Sequence, residues 1–265
     1  MRPLRVVVCA TLLLTAPLNS PSQSQLPSTT QPSQLVQQAL AALTGGHSIT
    51  DVTLTGSAHR VAGSDDETGS ATLKAVAPGA SSQSLSLSSG PRTEILNSAA
   101  VPPTGSWSGP DAVVHPVAFH NLLTGPSWFF PAFALAASSS ALGATLTYVG
   151  HETHNGQAAE HVTVTQSLPA SLQATFPLYP HITQLDFFLD STTFLPAALD
   201  FNIHPDSNEL VDIPVEIRFT GYTTVSGAQI PFHIQKLINN SLTLDIQIQN
   251  ASINNGITVA QVTGN

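Results

Sequence analysis

The C-terminal third of the chain alternates apolar and polar residues with a period of two. Successive side chains on a β-strand point to opposite faces, so this period predicts strands with one apolar and one polar face. Five such segments follow one another between Thr183 and Asn250. Their apolar positions are Leu185/Phe187/Leu189, Leu199/Phe201/Ile203, Val215/Ile217/Phe219, Ile230/Phe232/Ile234 and Leu242/Leu244/Ile246/Ile248. The pattern predicts a sheet with one apolar face, and whatever covers that face should decide the function.

The first two thirds of the chain continue the same pattern. Strand-like segments begin at Asp51, and turn residues recur about every ten positions, which is typical of an all-β domain. Asn155-Gly156 is the strongest hairpin signal, because both residues tolerate the positive φ of a two-residue turn. We therefore expect neighbouring strands to pair in antiparallel fashion.

Two segments interrupt the strands with helical patterns. Near the N-terminus, an apolar stripe is followed by Gly45-Gly46, which can provide a left-handed helix cap. The stripe consists of Leu35, Val36, Ala39, Leu40 and Leu43. The second segment, 126–138, is rich in aromatic residues and contains Pro131, which a helix accepts only in its first turn.

The two helices are too small to cover a flat sheet. Eleven or so strands spaced about 4.8 Å apart would make a sheet roughly 50 Å wide. Each helix of about ten residues is only roughly 15 Å long. The sheet should therefore curl around the helices. We predict a mainly β fold with a single curved antiparallel sheet, an incomplete β-barrel, and short helices packed in its concave face.

The N-terminus has the pattern of an export signal. Arg2 and Arg5 precede the apolar run Val6–Leu14, which is too short to span a bilayer as a helix. We expect an exported protein, periplasmic or extracellular, with no transmembrane segment. Its only cysteine, Cys9, lies in the predicted signal, so we expect no disulfide. The predicted organisation is a signal peptide at 1–24, a disordered Ser/Gln/Pro tether at 25–33, the half-barrel domain at 34–255 and a C-terminal tail at 256–265.

The charge balance excludes some partners. The chain has 16 acidic and 7 basic side chains, a formal net charge of −9, and charged residues make up only 9% of it. A surface of this sign repels nucleic acids and anionic membranes over most of its area. We therefore expect no nucleic-acid partner.

Several strand–turn–strand motifs resemble those of one family. Leu185–Asp190 followed by Thr193–Pro196 is one, Phe219–Gly227 is another, and the hairpin Tyr148–Val162 is a third. Over about residues 34–255 the chain resembles the periplasmic lipoprotein carrier (LolA-like) superfamily. That resemblance implies an incomplete antiparallel barrel with a helical lid over an apolar cavity that takes acyl chains. It also implies a lid-locking arginine, for which the candidates are Arg60, Arg92 and Arg218.

Motifs that carry chemistry are weak in this sequence. His151, His154 and His161 suggest a metal site, but a solvated hairpin tip explains them better, because residues three apart on a strand face opposite sides. Gly105–Gly109 resembles a nucleophile elbow with Trp107 where serine should stand, and a glycine-rich turn with an aromatic plug explains it better. The acidic residues of the last five strands fall on the polar face, where Arg218 and Lys236 can offset them. We expect no catalytic residues, metal or cofactor, and hence no enzyme.

The sequence thus predicts a non-enzymatic binding protein that holds a lipid, an acyl chain or a lipidated peptide between the sheet and a helical lid. The predicted ligand-binding residues are Trp128, Phe129 and Phe133 from the lid, with Phe201, Phe219 and Phe232 from the sheet. Its partners would be an apolar ligand or lipoprotein, together with an envelope protein. The alternative is an envelope sensor or protein-interaction module with a filled core and an exposed apolar patch near 126–138.

Overall fold

The computed structural model describes residues 31–125 and 127–264. The predicted signal peptide and the tether up to residue 30 lie outside these residues. The strands are β1 Asp51–Ala62, β2 Asp65–Val76, β3 Ala80–Leu87, β4 Gly90–Asn97, β5 Thr104–Ser108, β6 Val114–Pro116, β7 Ala144–His154, β8 Gln157–Gln166, β9 Leu185–Asp190, β10 Pro196–Ile203, β11 Ile213–Val225, β12 Ala228–Ile238 and β13 Ser241–Ile253. The helices are α1 Pro32–Thr44, α2 Pro131–Ser140, α3 Ala170–Gln173, α4 Tyr179–Ile182 and α5 Val259–Thr263, and a 3-10 turn spans Phe119–Leu122.

All the described strands form one 13-stranded antiparallel sheet. Its order is β6-β5-β4-β3-β2-β1-β13-β12-β11-β10-β9-β8-β7, so the two halves of the chain join where β1 pairs with β13. The edge strands β6 and β7 lie at opposite ends of this order, and the barrel is therefore not closed. The predicted fold class, an incomplete barrel made of one antiparallel sheet, is confirmed.

The local patterns fold as predicted. The five C-terminal segments form β9 to β13. Asn155 and Gly156 form a two-residue turn with φ of 50° and 79°, and they place His151 opposite Glu160. The segment around Trp107 differs from the prediction. Gly105–Gly109 was expected to form a turn, but most of it lies in strand β5, which pairs with β4.

The two longer helices fill the concave face. The stripe of α1 is buried, and α1 ends at Gly45, whose φ is 60° and whose N–H donates to the Ala41 carbonyl. Helix α2 begins at Pro131, as the proline requires, so Trp128 and Phe129 lie in a turn before it. Their rings meet edge to face inside the main core, with centroids 5.6 Å apart. The prediction that short helices pack inside the sheet is confirmed.

Both ends of the domain contain helix. Helix α1 starts at Pro32, so the last two residues of the predicted tether are helical. Helix α5 lies in the range predicted as a C-terminal tail, and the Thr258 side chain caps it. Val262 of α5 is buried against Val76 and Ala80. Within 31–125 and 127–264, none of the helices combines the length and apolarity that a membrane span needs.

Candidate functional site

A groove opens on the inner face of the sheet, with lining residues from β1, β3, β4 and β5 on one side and from β10, β12 and β13 on the other. It has two adjoining basins, of about 210 Å³ and about 340 Å³, which share Glu94, Trp107 and Lys236. Apolar side chains make up much of the lining of the narrow basin, which also includes Asn121 and the exposed Asp206; the apolar ones are Leu96, Val117, Trp128, Phe201 and Ile203. The wide basin combines apolar with charged and polar side chains: Val61, Leu85, Ile238, Leu244, Arg60, Gln83, Arg92 and Thr243. The groove therefore has an apolar end and a charged end.

Both tryptophans of the chain line the narrow basin. Trp107 is 46% exposed and stacks on His115, with ring centroids 4.3 Å apart. Strand pairing fixes this position, because Trp107 lies opposite Glu94 on one side and His115 on the other. Trp128 is only 2% exposed and lies beneath Lys236, whose Nζ is 4.8 Å from the ring centroid. That distance is within the range of a cation–π contact.

Two of the six predicted ligand-binding residues reach the groove. Trp128 and Phe201 line its narrow basin. The other four belong to or pack against the main core, and they are Phe129, Phe133, Phe219 and Phe232. The aromatic segment thus acts mainly as a plug that fills the concave face. Sequence reasoning missed Trp107, since it had no basis for placing β5 beside the aromatic turn.

An ion cluster holds the charged end of the groove. Register places Arg60 directly opposite Glu67, on the inner face that also carries Leu54 and Leu73. Glu67 Oε2 accepts hydrogen bonds from Arg60 Nη1 at 3.2 Å and from Arg92 Nη2 at 3.3 Å. The Ser89 N–H donates to Glu67 Oε1 at 2.9 Å. The hydrogen bonding at Ser89 and the nearby Arg92 lower the pKa of Glu67. The carboxylate is therefore held ionised.

The three candidates for a lid-locking arginine all bind carboxylates. Arg60 and Arg92 bind Glu67, as described above. Arg218 forms a two-pronged ion pair with Glu216 on the outer face. None of the three forms a hydrogen bond with α1 or α2 within the described ranges. The arginine lock that the resemblance implied does not occur among these contacts.

The three histidines considered for a metal site bind separate carboxylates. His151 pairs with Glu160 at 3.0 Å, His154 with Glu216 at 3.2 Å, and His161 with both Asp186 and Glu152 at 2.9 Å. The pairs of His151 and His161 join neighbouring strands, whereas His154 at the end of β7 reaches Glu216 on β11. Partly solvated pairs of this kind usually stabilise a sheet only slightly. They do not converge on one position.

Other residues do converge on the outer face. His154, Asp200 and Glu216 bring potential ligand atoms within 4.8 Å of one another there. A second group with the same spacing lies outside the strands, with His181 in α4 and His204 and Asp212 between β10 and β11. Burial, followed by repulsion from Glu216 and Asp186, raises the pKa of Asp200 to about 7. Sequence reasoning could not assemble these groups, because their members come from separate hairpins and loops.

Comparisons with solved structures identify the fold. One match is a domain described as an outer membrane lipoprotein-sorting protein from Vibrio parahaemolyticus, with a TM-score of 0.54 and 12% identity over 86% of this chain and 95% of that one. A LolA superfamily protein from Nitrosomonas europaea matches with a TM-score of 0.53 and 8% identity over 88% and 97%. A DUF1329 family protein from Desulfovibrio piger matches with a TM-score of 0.51 and 11% identity over 87% and 97%.

The chain therefore has a LolA-like fold, which confirms the resemblance found in the sequence. No family model matches the sequence, and a search of curated proteins finds no match either. At these low identities the likeness establishes the architecture alone. The function has to be argued from the groove itself.

Proposed function

We propose that this protein is an exported, non-enzymatic binding protein that holds a lipid, an acyl chain or a lipidated peptide in the groove on its inner face. The observation that carries the proposal is the narrow basin, where the half-exposed Trp107 and the buried Trp128 line one pocket together with several apolar side chains. An aromatic side chain that is half exposed beside an apolar pocket favours contact with an apolar ligand. The lipoprotein-sorting domain with the same fold is consistent with such a ligand.

The size of the groove limits what it can hold. Small-molecule sites usually occupy roughly 300–1,000 Å³, so the wide basin is at the lower end of that range and the narrow basin adds to it. Each buried methylene contributes about 0.8 kcal/mol. Burying about six methylenes would therefore contribute about 5 kcal/mol, before the cost of immobilising the ligand. One alkyl chain fits this volume better than several.

The test uses the two tryptophans as built-in reporters. Native extraction of the purified protein followed by mass spectrometry should detect a co-purified amphiphile. Titration of the delipidated protein with a fatty acid should change the tryptophan emission, and Trp107→Phe should reduce that change. Trp107 is a suitable position because it is half exposed. A protein that carries no amphiphile and whose emission stays constant would contradict the proposal.

Export is part of the same proposal. It rests on the apolar run Val6–Leu14 behind Arg2 and Arg5, which lies outside the described residues. Expression with the full N-terminus, followed by fractionation and intact-mass measurement, should find a processed protein outside the cytoplasm. An unprocessed cytoplasmic protein would contradict it.

The alternative, an envelope sensor or protein-interaction module, is favoured by two observations. The space beneath the aromatic segment is filled, as that alternative expects. Exposed apolar side chains do occur, although near the β5–β6 edge rather than at 126–138, and they include Trp107, Val113, Val114 and Phe119. If this alternative holds, Val114→Ser should abolish capture of a specific envelope protein while amphiphiles fail to bind the wild type.

A further inference from the structure

The chain concentrates its few cations at one place. Five of its seven basic residues lie in the described part, and three of them line the wide basin: Arg60, Arg92 and Lys236. Glu94 is the acidic residue of that lining. In a protein with a net charge of −9, this concentration of cations on an inner face is unexpected. Glu67 and Asp65 contact the arginines and offset part of their charge, whereas Lys236 has no carboxylate partner within the described residues. A cationic site of this kind attracts anionic ligands and repels cationic ones.

Sheet register brings these side chains together. Lys236 on β12 and Arg60 on β1 both lie opposite Leu244 of β13, and Arg60 in turn lies opposite Glu67 on β2. The four side chains therefore form a row across adjacent strands. Arg92 reaches this row from β4 through its hydrogen bond to Glu67. The row is fixed by the backbone, so the cations are positioned before any ligand arrives.

Glu67 orients the two arginines without using all their donors. Its side chain is 7% exposed and accepts one hydrogen bond from each guanidinium. Arg60 Nη1 also lies 3.6 Å from Asp65 Oδ2, and Arg92 Nη2 also donates to Ser89 Oγ at 3.2 Å. A guanidinium has five N–H donors, so each arginine keeps donors for another acceptor. Arg92 Nε is buried and has no hydrogen-bond partner within the described residues, and the same holds for Gln83 Oε1 in the wall of the wide basin. Unsatisfied polar atoms beside a pocket favour a polar group in the ligand.

Lys236 links the charged and the apolar ends. It lines both basins, and its ammonium lies over the Trp128 ring at 4.8 Å. No carboxylate among the described residues lies within ion-pair distance of it. A partly buried ammonium without a counter-ion is costly unless an anion accompanies it. The position of Lys236 is therefore where an anionic head group and an apolar chain would meet.

We propose that the groove recognises a single-chain amphiphile with an oxyanion head group, a carboxylate or a phosphate. The head group binds Arg60, Arg92 and Lys236 in the wide basin, and the alkyl chain enters the narrow basin between Trp107 and Trp128. This inference rests on the proposed binding function and adds the chemistry of the ligand. Glu94, which also lines both basins, repels the head group and so weakens its binding.

The experiment compares three ligands that share one alkyl chain and differ only in the head group: palmitate, hexadecyl phosphate and hexadecanol. Binding to the delipidated protein is followed by tryptophan emission, below the critical micelle concentration of each ligand. Palmitate and hexadecyl phosphate should bind at least about tenfold more tightly than hexadecanol, since one charge-assisted hydrogen bond supplies about that factor. Added salt should weaken the binding of the two anions and leave hexadecanol unchanged.

Variants then assign the effect to the cations. Lys236→Gln is the main variant, because it removes no ion pair within the described residues. It should weaken both anions about tenfold and change hexadecanol by less than about twofold. Glu94→Gln should strengthen the anions, by about threefold for removal of one nearby repulsive charge. Lys74→Gln is the matched control, since Lys74 lies near α5, outside the groove, and it should change nothing. Thermal unfolding checks that each variant is folded.

The outcomes separate the two proposals. If all three ligands bind equally and Lys236→Gln has no effect, the head-group inference is overturned and the binding function stands. If none of them binds, the proposed function itself fails. If inorganic phosphate alone binds as tightly as hexadecyl phosphate, the alkyl chain plays no part and the amphiphile inference is overturned. A preference for phosphate over carboxylate, or the reverse, identifies the head group while supporting the inference.

Discussion

Replacing Asp200 by asparagine is expected to stabilise the protein above neutral pH and to leave its stability unchanged in acid. Asp200 lies on the outer face of β10, directly opposite Asp186 on β9 and Glu216 on β11. Three carboxylates therefore stand in one row. Asp186 has His161 as partner and Glu216 has Arg218, whereas Asp200 Oδ1 is buried without a hydrogen-bond partner in the described chain. Ionised Asp200 is thus the unfavourable member of the row.

The magnitude follows from the pKa of Asp200. Burial first, and the two neighbouring carboxylates next, raise it from 3.8 to about 7. A rise of about 3 pKa units corresponds to at most about 4 kcal/mol, since each unit is worth about 1.4 kcal/mol. Local rearrangement and water around the carboxylate reduce this energy, so we expect Asp200→Asn to raise the unfolding free energy by about 1–3 kcal/mol above neutral pH. Because the pKa of Asp200 is higher in the folded than in the unfolded state, its contribution to the unfolding free energy is fully present below about pH 4. That contribution is lost as the pH rises to about 7.

The assay is urea unfolding of wild type and Asp200→Asn between about pH 4 and about pH 8.5, a range that spans both pKa values. The difference in unfolding free energy should be near zero at the acid end and should reach its maximum above about pH 7. Asp206→Asn is the matched control, because it makes the same chemical change at an exposed position. A difference that is equal at both ends of the range, or a variant less stable than wild type at high pH, would refute the reasoning.

Two further predictions concern the backbone and the tyrosines. Gly45 and Gly46 both have positive φ, but a Cβ on Gly45 would collide with the Gly227 carbonyl, whereas a Cβ on Gly46 would contact nothing. Gly45→Ala should therefore lower the thermal midpoint by several degrees more than Gly46→Ala. Equal shifts in the two variants would contradict this. Hydrogen bonding to Glu160 raises the pKa of Tyr148 to about 12, and burial raises the pKa of the other two tyrosines, Tyr179 and Tyr222. Spectrophotometric titration of the folded protein should therefore find little tyrosinate at about pH 10, where the tyrosines of the unfolded chain are half ionised. A full tyrosinate signal from folded protein at that pH would contradict the assignment.

The fold was predictable from local patterns because each strand carries its own information. The period-two alternation around Phe187, Phe201 and Phe219 assigns both a strand and the face that becomes buried. The Asn155-Gly156 turn fixes the register of its hairpin, and with it the pairing of His151 with Glu160. The curvature of the sheet followed from comparing the width of the sheet with the length of the two helices. None of these steps needed contacts between distant parts of the chain.

The groove was not predictable in this way, because its lining comes from strands that are distant in sequence. Lys236 illustrates the difficulty. We expected it on the polar face, where it would offset the acidic residues, yet it shares the inner face with Ile234 and Ile238. The period-two alternation by itself places Lys236 on the same face as Ile234 and Ile238. A lysine within such an apolar series is nevertheless easily assigned to the solvent-facing side. Similarly, Trp107 was assigned to a turn, since two glycines flank it and β5 has only five residues.

The size argument made from the sequence explains why a filled core and a groove occur in the same molecule. Helices α1 and α2 pack against each other and against β7, β8 and β12, which lie in one half of the strand order. Most of the groove lining comes from β1, β3, β4 and β5, in the other half, and β10, β12 and β13 line its far side. Two short helices can fill only part of so wide a concave face, and the part beyond their reach keeps an open surface. That open part is also where the inner face changes from apolar side chains to Arg60, Glu67 and Arg92. If this part of the inner face served only to pack against other parts of the protein, buried charges would not stabilise it, because desolvating charged side chains is unfavourable. Their presence at the uncovered end of the sheet therefore favours a ligand that is itself part apolar and part anionic.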